Sequence, residues 1–373
     1  MGSTGMPLHA PINLSLSEPS PASAADVRKS DSRNVWVQSA AFDSCCFLLS
    51  PLAGLVLILG DRWLPPREST LLILSAFYFI GIPHYLSTLT FYLGDDNLRQ
   101  YRTRPLAFFA GPLLILAAVT GLWWGLHWHP LIKAGLYSWN IYHVSKQSSG
   151  ILNIYRLLNG GPHTERAVAL LAILSSTAAM ALWPVHGHPS LVLLLAKVHP
   201  QLLFAMDRFC LVIAIVSCAL LAWRISRRVT RIRLPEFGFL LTSVGLGVPY
   251  LLVDNLMLAT LAMLMGHFIQ YLALVWLLHR RKYGAMHGSS RQRLLGLISR
   301  RPLLLCACLV GCGALFWLGA RTSTSEAAKN LYACLLISAN FVHFYLDGLI
   351  WAFRRSTVRD SIAPYLTVKR GVA

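Results

Sequence analysis

Four histidines of this chain stand inside long apolar segments rather than in polar loops: His84, His143, His267 and His343. An ionisable side chain inside such a segment is costly and is by default a functional hypothesis. Neutral imidazole is a ligand that suits iron, copper and zinc. The four histidines are therefore predicted metal ligands. Histidines joined by a carboxylate, with open positions, are typical of non-haem iron that reacts with dioxygen.

The carboxylate that accompanies these histidines is Asp347, four residues after His343. Residues at this spacing share one helix face, so Asp347 is predicted either to bind the metal or to orient a histidine that does. The predicted cofactor is Fe(II), as one or two ions. Tyr142 and Tyr271 are predicted to act with Asp347 in catalysis, and both tyrosines would line a substrate tunnel together with Tyr85 and Trp351.

Metal-binding histidines usually donate their second ring N–H to a carboxylate, a carbonyl or an amide. The sequence offers four candidates for this orienting role: Gln147, Gln270, Asp207 and His199. The two glutamines stand one helical turn after a histidine. Asp207 and His199 belong to a different predicted span and are less well aligned in depth.

The elements that must position these residues are transmembrane helices. Of the 373 residues, 55% are hydrophobic and only 13% are charged, against about 25% charged in a soluble domain. We predict an all-α, polytopic bundle of about ten spans around a buried polyhistidine centre, occupying residues 36–355 between a disordered tail (1–35) and a short cytoplasmic tail (356–373). The predicted spans are 39–60, 71–93, 106–126, 131–155, 167–183, 198–223, 237–253, 256–278, 302–320 and 327–353.

The net charge of +18 comes from 33 Lys and Arg against 15 Asp and Glu. Its arginines stand in short loops beside the apolar runs, as at 224–233, 280–301 and 354–355. This distribution follows the positive-inside rule and predicts a cytoplasmic (inner) membrane protein with both termini in the cytoplasm. It favours contact with anionic membrane lipids and argues against a nucleic-acid partner.

The predicted threading supplies a depth scale for the four histidines. Each stands about 10 to 13 residues from the cytoplasmic end of its span, so at 1.5 Å per residue they share one level to within roughly one turn. The fourth span is by far the most polar and is predicted to lie at the centre of the bundle. The remaining histidines in or beside loops, such as His127, His129 and His279, are assigned no role beyond that of solvated polar groups.

A family resemblance adds to this interpretation. Gly81-Ile82-Pro83-His84 resembles the Gly-x-Pro-His motif of the bacterial integral-membrane carotene dioxygenases that form retinal. The later histidines of that family would be matched by His143, His267 and His343. The resemblance implies a multi-helix, iron-dependent, oxygen-using enzyme in which these four histidines hold the metal.

Three function classes stay open. The first is an oxygenase that uses dioxygen on a lipophilic substrate, either a polyene or a hydrocarbon chain. The second is a proton-coupled transporter with a relay of His143, Lys146, Asp207, His267 and Asp347, favoured by the break at His199-Pro200 in the sixth predicted span. The third, a haem protein, fits the one-histidine-per-helix distribution poorly. The eight cysteines contain no C-x-x-C and are predicted to be free thiols.

Overall fold

The structure, a computed structural model, describes residues 36–158, 166–182, 200–227, 233–284, 288–352 and 356–366. All regular secondary structure in these residues is helical. The first eight helices are α1 Ala40–Leu48, α2 Leu52–Trp63, α3 Pro66–Leu93, α4 Asp95–Arg102, α5 Leu106–Trp124, α6 His129–Leu158, α7 Arg166–Leu182 and α8 Pro200–Ser226. The others are α9 Leu234–Gly247, α10 Pro249–Leu252, α11 Leu256–Tyr283, α12 Ser290–Arg300, α13 Pro302–Thr322, α14 Glu326–Ile350 and α15 Ser356–Leu366.

Six stretches of the described residues are long and apolar enough to cross a membrane, namely α3, α5, α11, α13, α14 and residues Phe204–Ser226 of α8. The pair α1 and α2, bent by 47° where they meet, makes a seventh if it counts as one span. The remaining three predicted spans coincide with α6, α7 and α9, which are helices as well. The all-helical fold and several helices long and apolar enough to cross a membrane therefore agree with the sequence, while the count of ten spans stays a prediction.

The centre of the bundle is α11, which is buried along nearly its whole length. By contrast the side chains of α13 are exposed or half-buried, and Gly313 is its buried residue. The sequence predicts that α6 lies at the centre of the bundle, and twelve of its residues, His143 among them, are buried. Polarity placed α6 there, but part of that polarity faces outward: Lys146 and Tyr142 are exposed, whereas His143 points inward.

Helix α3 changes its geometry just before His84. A π-turn occupies Phe77–Gly81, and α-helix resumes at Ile82. Pro83 has no N–H to donate, so a regular helix would leave a carbonyl one turn earlier without its partner. A π-turn is a common device at such points and often marks a functional site. It lets the proline stay inside a continuous helix that buries His84.

The first predicted span is broken rather than straight. It bends at Pro51, between α1 and α2, and the bend leaves buried backbone carbonyls that need hydrogen-bond partners. Thr242 donates its hydroxyl to the carbonyl of Leu48 (3.1 Å), and the Gln270 amide donates to the carbonyl of Phe47 (3.1 Å). Side chains of α9 and α11 thus stabilise the bend.

Arg281, near the end of α11, joins the two ends of the described chain. Its Nη2 donates to the carbonyl of Val37 (2.6 Å), and its Nη1 donates to the carbonyls of Tyr365 (3.0 Å) and Leu366 (3.2 Å). The segment predicted as a C-terminal tail therefore contains a helix, α15, that is held against the end of α11.

Candidate metal centre

The four histidines predicted as metal ligands come from four different helices and meet in the interior. His84 lies on α3, His143 on α6, His267 on α11 and His343 on α14, and all four are buried. The ring centroids lie 4.8 Å apart for His84 and His267, 4.5 Å for His84 and His343, 5.1 Å for His143 and His267, and 5.0 Å for His143 and His343. Each ring therefore contacts two others.

One ring nitrogen of each histidine is buried and has no hydrogen-bond partner among the described residues. These atoms are Nδ1 of His84 and Nε2 of His143, His267 and His343. A buried polar atom left without a partner costs about 1–3 kcal/mol, so four such atoms in one cluster call for a ligand. Since imidazole nitrogen is a donor to first-row metals, a metal ion fits this place.

The possible donor atoms form two sets that share one residue. The ligand atoms of His84, His143 and His267 lie within 4.8 Å of one another, and so do those of His143, His343 and Asp347. The Nε2 atom of His143 has a single lone pair, which binds one ion. The two sets therefore adjoin one another at His143.

Asp347 borders this centre and is held by three side-chain donors. Its Oδ2 lies 3.8 Å from Nε2 of both His143 and His343. Gln147 donates its amide to Oδ2 (2.5 Å), while the hydroxyls of Tyr271 (2.7 Å) and Thr88 (3.0 Å) donate to Oδ1. Both oxygens of the buried carboxylate are thus engaged, and its negative charge faces two imidazoles.

A single spacing explains how these residues meet. Each of the four helices contributes one histidine to the cluster and, four residues later, one polar side chain to the network, since Thr88, Gln147, Tyr271 and Asp347 follow the four histidines in turn. Residues four apart lie on one helix face. Every helix therefore turns the same kind of polar pair inward, and the second members of the pairs are hydrogen-bonded to one another through Asp347.

Aromatic side chains enclose the imidazole cluster. The rings of Phe268 and Tyr271 lie 4.6 Å from the ring of His84, and Tyr85 lies 5.4 Å from it. Phe344 lies 4.7 Å from His143. Trp351 closes the network on another side, because its indole N–H donates to the hydroxyl of Tyr271 (3.4 Å). The centre is consequently surrounded by apolar surface.

Other predicted site residues lie elsewhere. Tyr142 is exposed, with its ring 5.9 Å from that of Trp139 and with Lys146 over it. Gln270 donates to the bend at Phe47 and to Ser50 instead of a histidine. Asp207 is buried on α8 and belongs to neither donor set found among the described residues, and His199 lies outside those residues.

Sequence reasoning missed Thr88, Phe268 and Phe344. The four-residue spacing after His84 was the available signal for Thr88, because the same rule selected Gln147 and Asp347. The treatment of His279 as a solvated residue is wrong. It is buried near the end of α11, where its Nε2 is bonded to Thr90 (2.7 Å). Because α11 is buried almost to its end, residues beyond the predicted span are buried too.

Comparisons of this chain with models of protein families, with curated proteins and with solved structures found no match. The chemistry of the centre therefore has to be argued from its own donor atoms, their burial and their hydrogen bonds.

Proposed function

We propose that this protein is an integral-membrane, iron-dependent oxygenase that acts on a lipophilic substrate. The observation that carries the proposal is the convergence of four unpartnered imidazole nitrogens from four helices. The substrate class is a polyene such as a carotenoid, or a hydrocarbon chain.

The donor set fits Fe(II), and His84, His143, His267 and His343 would hold it. All four nitrogens are neutral imidazole donors, and the described residues place no thiolate beside them. One ion fits better than two, because the two donor sets share His143. When bound, ferrous iron supplies the electron-transfer chemistry with dioxygen that protein side chains lack.

Asp347 supports the site as an orienting residue in this proposal. Its two oxygens already accept hydrogen bonds from Gln147, Tyr271 and Thr88, so its carboxylate holds a fixed position beside His143 and His343. Its negative charge offsets the positive charge of the ion in an apolar interior, where charge is otherwise expensive.

The surroundings of the centre favour a substrate that arrives from the lipid phase. Phe268, Tyr85 and Phe344 present apolar ring faces around the imidazoles. Such surfaces exclude water and pack against carbon chains, so a polar substrate would find few partners there. The residues Gly81-Ile82-Pro83-His84, which resemble the motif of the carotene dioxygenases, point to the same class of substrate.

The proposed topology has ten spans with both termini in the cytoplasm, in the cytoplasmic membrane. This places the arginine-rich ends of α8 and α11 on the cytoplasmic side, in keeping with the positive-inside rule. It also requires α6, α7 and α9 to cross the membrane beside the six or seven candidate spans.

A proton-coupled transporter was the alternative on sequence grounds, and its predicted relay fits the structure less well. Lys146 is exposed on α6, whereas His143, His267 and Asp347 lie together in the interior. A relay through Lys146 would therefore have to leave the cluster. The oxygenase proposal involves only the clustered residues and does not require Lys146.

The experiment is an oxygen-uptake assay on the full chain, purified in detergent and loaded with Fe(II) under anaerobic conditions. Beta-carotene and an unsaturated phospholipid serve as substrates, with ¹⁸O₂ to label products for mass spectrometry. We expect labelled product from one of them, and its loss in His343→Gln. His279→Gln is the matched control, since it removes a buried histidine outside the cluster. An iron-loaded protein that oxygenates neither substrate would contradict the proposal.

A further inference from the structure

Thr88 occupies the junction between the carboxylate and one of the imidazoles. Its Oγ1 is 2.7 Å from Nδ1 of His343, 3.0 Å from Oδ1 of Asp347 and 2.9 Å from the hydroxyl of Tyr271. The side chain is fully buried. A single hydroxyl therefore has three polar neighbours but only one proton to donate.

Thr88 has one hydroxyl proton, and Asp347 is an acceptor. Thr88 donates that proton to Oδ1, the oxygen to which Tyr271 also donates. The contact with His343 can then form only if the imidazole is the donor, through Nδ1–H. In a neutral imidazole the other nitrogen carries a lone pair, so Nε2 of His343 faces the cluster as an acceptor without a partner.

We propose that Thr88 is a positioning residue that relays the charge of Asp347 to His343 and fixes this histidine in the Nδ1–H form. The inference rests on the proposed metal centre, because the lone pair on Nε2 is useful there. Thr88 thereby does through a hydroxyl what a carboxylate or carbonyl does directly in many metal sites. It also stands four residues after His84, so α3 contributes one ligand and orients another.

Of the four histidines, His343 is the one whose second ring nitrogen has a side-chain hydrogen-bond partner among the described residues. Its ring is also held at 4.5 Å from His84 and at 5.0 Å from His143. Loss of the Thr88 hydroxyl would free both the tautomer and the ring orientation of a histidine that contacts two others. The effect is therefore expected in metal affinity and not only in stability.

The test is a Co(II) titration of the full chain in detergent, with a chelator as competitor and the cobalt absorption bands as the signal. We expect Thr88→Val to weaken Co(II) binding by about 10–100-fold, the usual effect of losing the partner of a metal-binding histidine. Thr88→Ser keeps the hydroxyl and is expected to stay within about threefold of the wild type. The matched control is Thr90→Val on the same helix as Thr88. It removes a hydroxyl that is hydrogen-bonded to His279, outside the cluster.

Three outcomes separate this inference from the proposed function. Equal affinity in Thr88→Val and the wild type overturns the role of Thr88 and leaves the metal centre intact. Equal losses in Thr88→Val and Thr88→Ser overturn it too, because the hydroxyl would then be irrelevant. A wild type that binds no Co(II) overturns the metal centre and the inference together.

A second measurement is made on the wild-type chain and does not depend on whether the Thr88 variants fold. Nitrogen NMR of the metal-free wild type, labelled with ¹⁵N-histidine and assigned with His343→Gln, reports which ring nitrogen of His343 carries the proton. We expect the Nδ1–H form. The Nε2–H form would overturn the inference, because Thr88 could not then accept a hydrogen bond from the ring.

Discussion

Two buried carboxylates of this protein, Asp43 and Asp347, stand inside predicted spans and have opposite surroundings. Asp43 accepts hydrogen bonds from the backbone N–H groups of Val37 (2.6 Å), Gln38 (3.0 Å) and Ser39 (3.4 Å) and from the hydroxyl of Tyr155 (2.8 Å). These contacts hold the segment that precedes α1 against the first turn of that helix. Asp43 is thus a capping residue whose donors come mostly from its own neighbourhood.

Asp347 instead accepts hydrogen bonds from side chains of three other helices, α3, α6 and α11. In addition its Oδ2 lies 3.8 Å from two imidazole nitrogens that have no partner. Among the described residues Asp347 belongs to a possible metal-binding set and Asp43 does not. The comparison teaches that burial of a carboxylate does not identify a site, whereas unpartnered donors beside it do.

The largest expected effect is loss of a ligand. His143→Gln removes the histidine common to both donor sets, and we expect Co(II) affinity to fall by more than about 100-fold, beyond the loss caused by removing an orienting partner. His279→Gln, at a buried histidine outside the cluster, should bind Co(II) like the wild type. An equal loss of Co(II) affinity in His143→Gln and His279→Gln would show that the clustered histidines are not special in metal binding.

Next in size are reciprocal changes at the two carboxylates. Asp43→Asn leaves backbone donors and Tyr155 with a poorer acceptor, which we expect to cost about 3 kcal/mol and to lower Tm without changing metal affinity. Asp347→Asn should weaken Co(II) binding by about 10–100-fold. Thermal unfolding and metal titration of both variants check this pair, and a metal defect in Asp43→Asn would contradict it.

A smaller pair of effects is expected at two glutamines. Gln147→Leu removes one of three donors to Asp347 and should weaken metal binding about fivefold, since one hydrogen bond contributes about 1 kcal/mol. Gln270→Leu removes the partner of the Phe47 carbonyl at the bend and should lower Tm instead. Metal titration and thermal unfolding check this pair as well. A loss of metal affinity in Gln270→Leu without one in Gln147→Leu would contradict the prediction.

The smallest effect is expected at Asp95, a half-buried carboxylate outside the candidate spans. The hydrogen bond from the Ser289 hydroxyl (2.9 Å), aided by Arg291, lowers the pKa of Asp95 below its usual 3.8. A lowered pKa stabilises the fold above pH 3.8, and this contribution is lost as the pH falls through the folded value. Asp95→Asn should therefore lower Tm slightly at pH 7 and approach the wild type at low pH. A difference that grows in acid would contradict the assignment.

Much of the helical fold could be predicted because apolar length and helix ends are properties of short segments. The predicted spans 71–93, 256–278 and 302–320 match α3, α11 and α13 closely. The bend at Pro51 and the interruption between α9 and α10 could not be predicted in the same way. At the bend, the freed carbonyls of Phe47 and Leu48 accept hydrogen bonds from Gln270 and Thr242, which are distant in sequence.

The four histidines could be predicted from the sequence because they stand in four different predicted spans at the same depth. That depth follows from the predicted orientation of the spans. The partners of Asp347 were accessible only in part. Gln147 and Tyr271 follow histidines at helical spacing, yet nothing in the sequence says that they and Thr88 meet at one carboxylate. Gln270 follows His267 by three residues instead of four, and its side chain faces the bend at Pro51. Each step of one residue along a helix turns the side-chain direction by about 100°.

The central claim is that the four imidazoles bind a metal ion, and the most direct measurement is metal content by mass spectrometry of the full chain purified in detergent from iron-supplemented cells. The account predicts about one iron ion per chain in the wild type and in His279→Gln, and less than about one-tenth of that in a folded His143→Gln. A wild type that holds no metal after purification or after reconstitution with Fe(II), or a His143→Gln variant that retains the full amount, would contradict it.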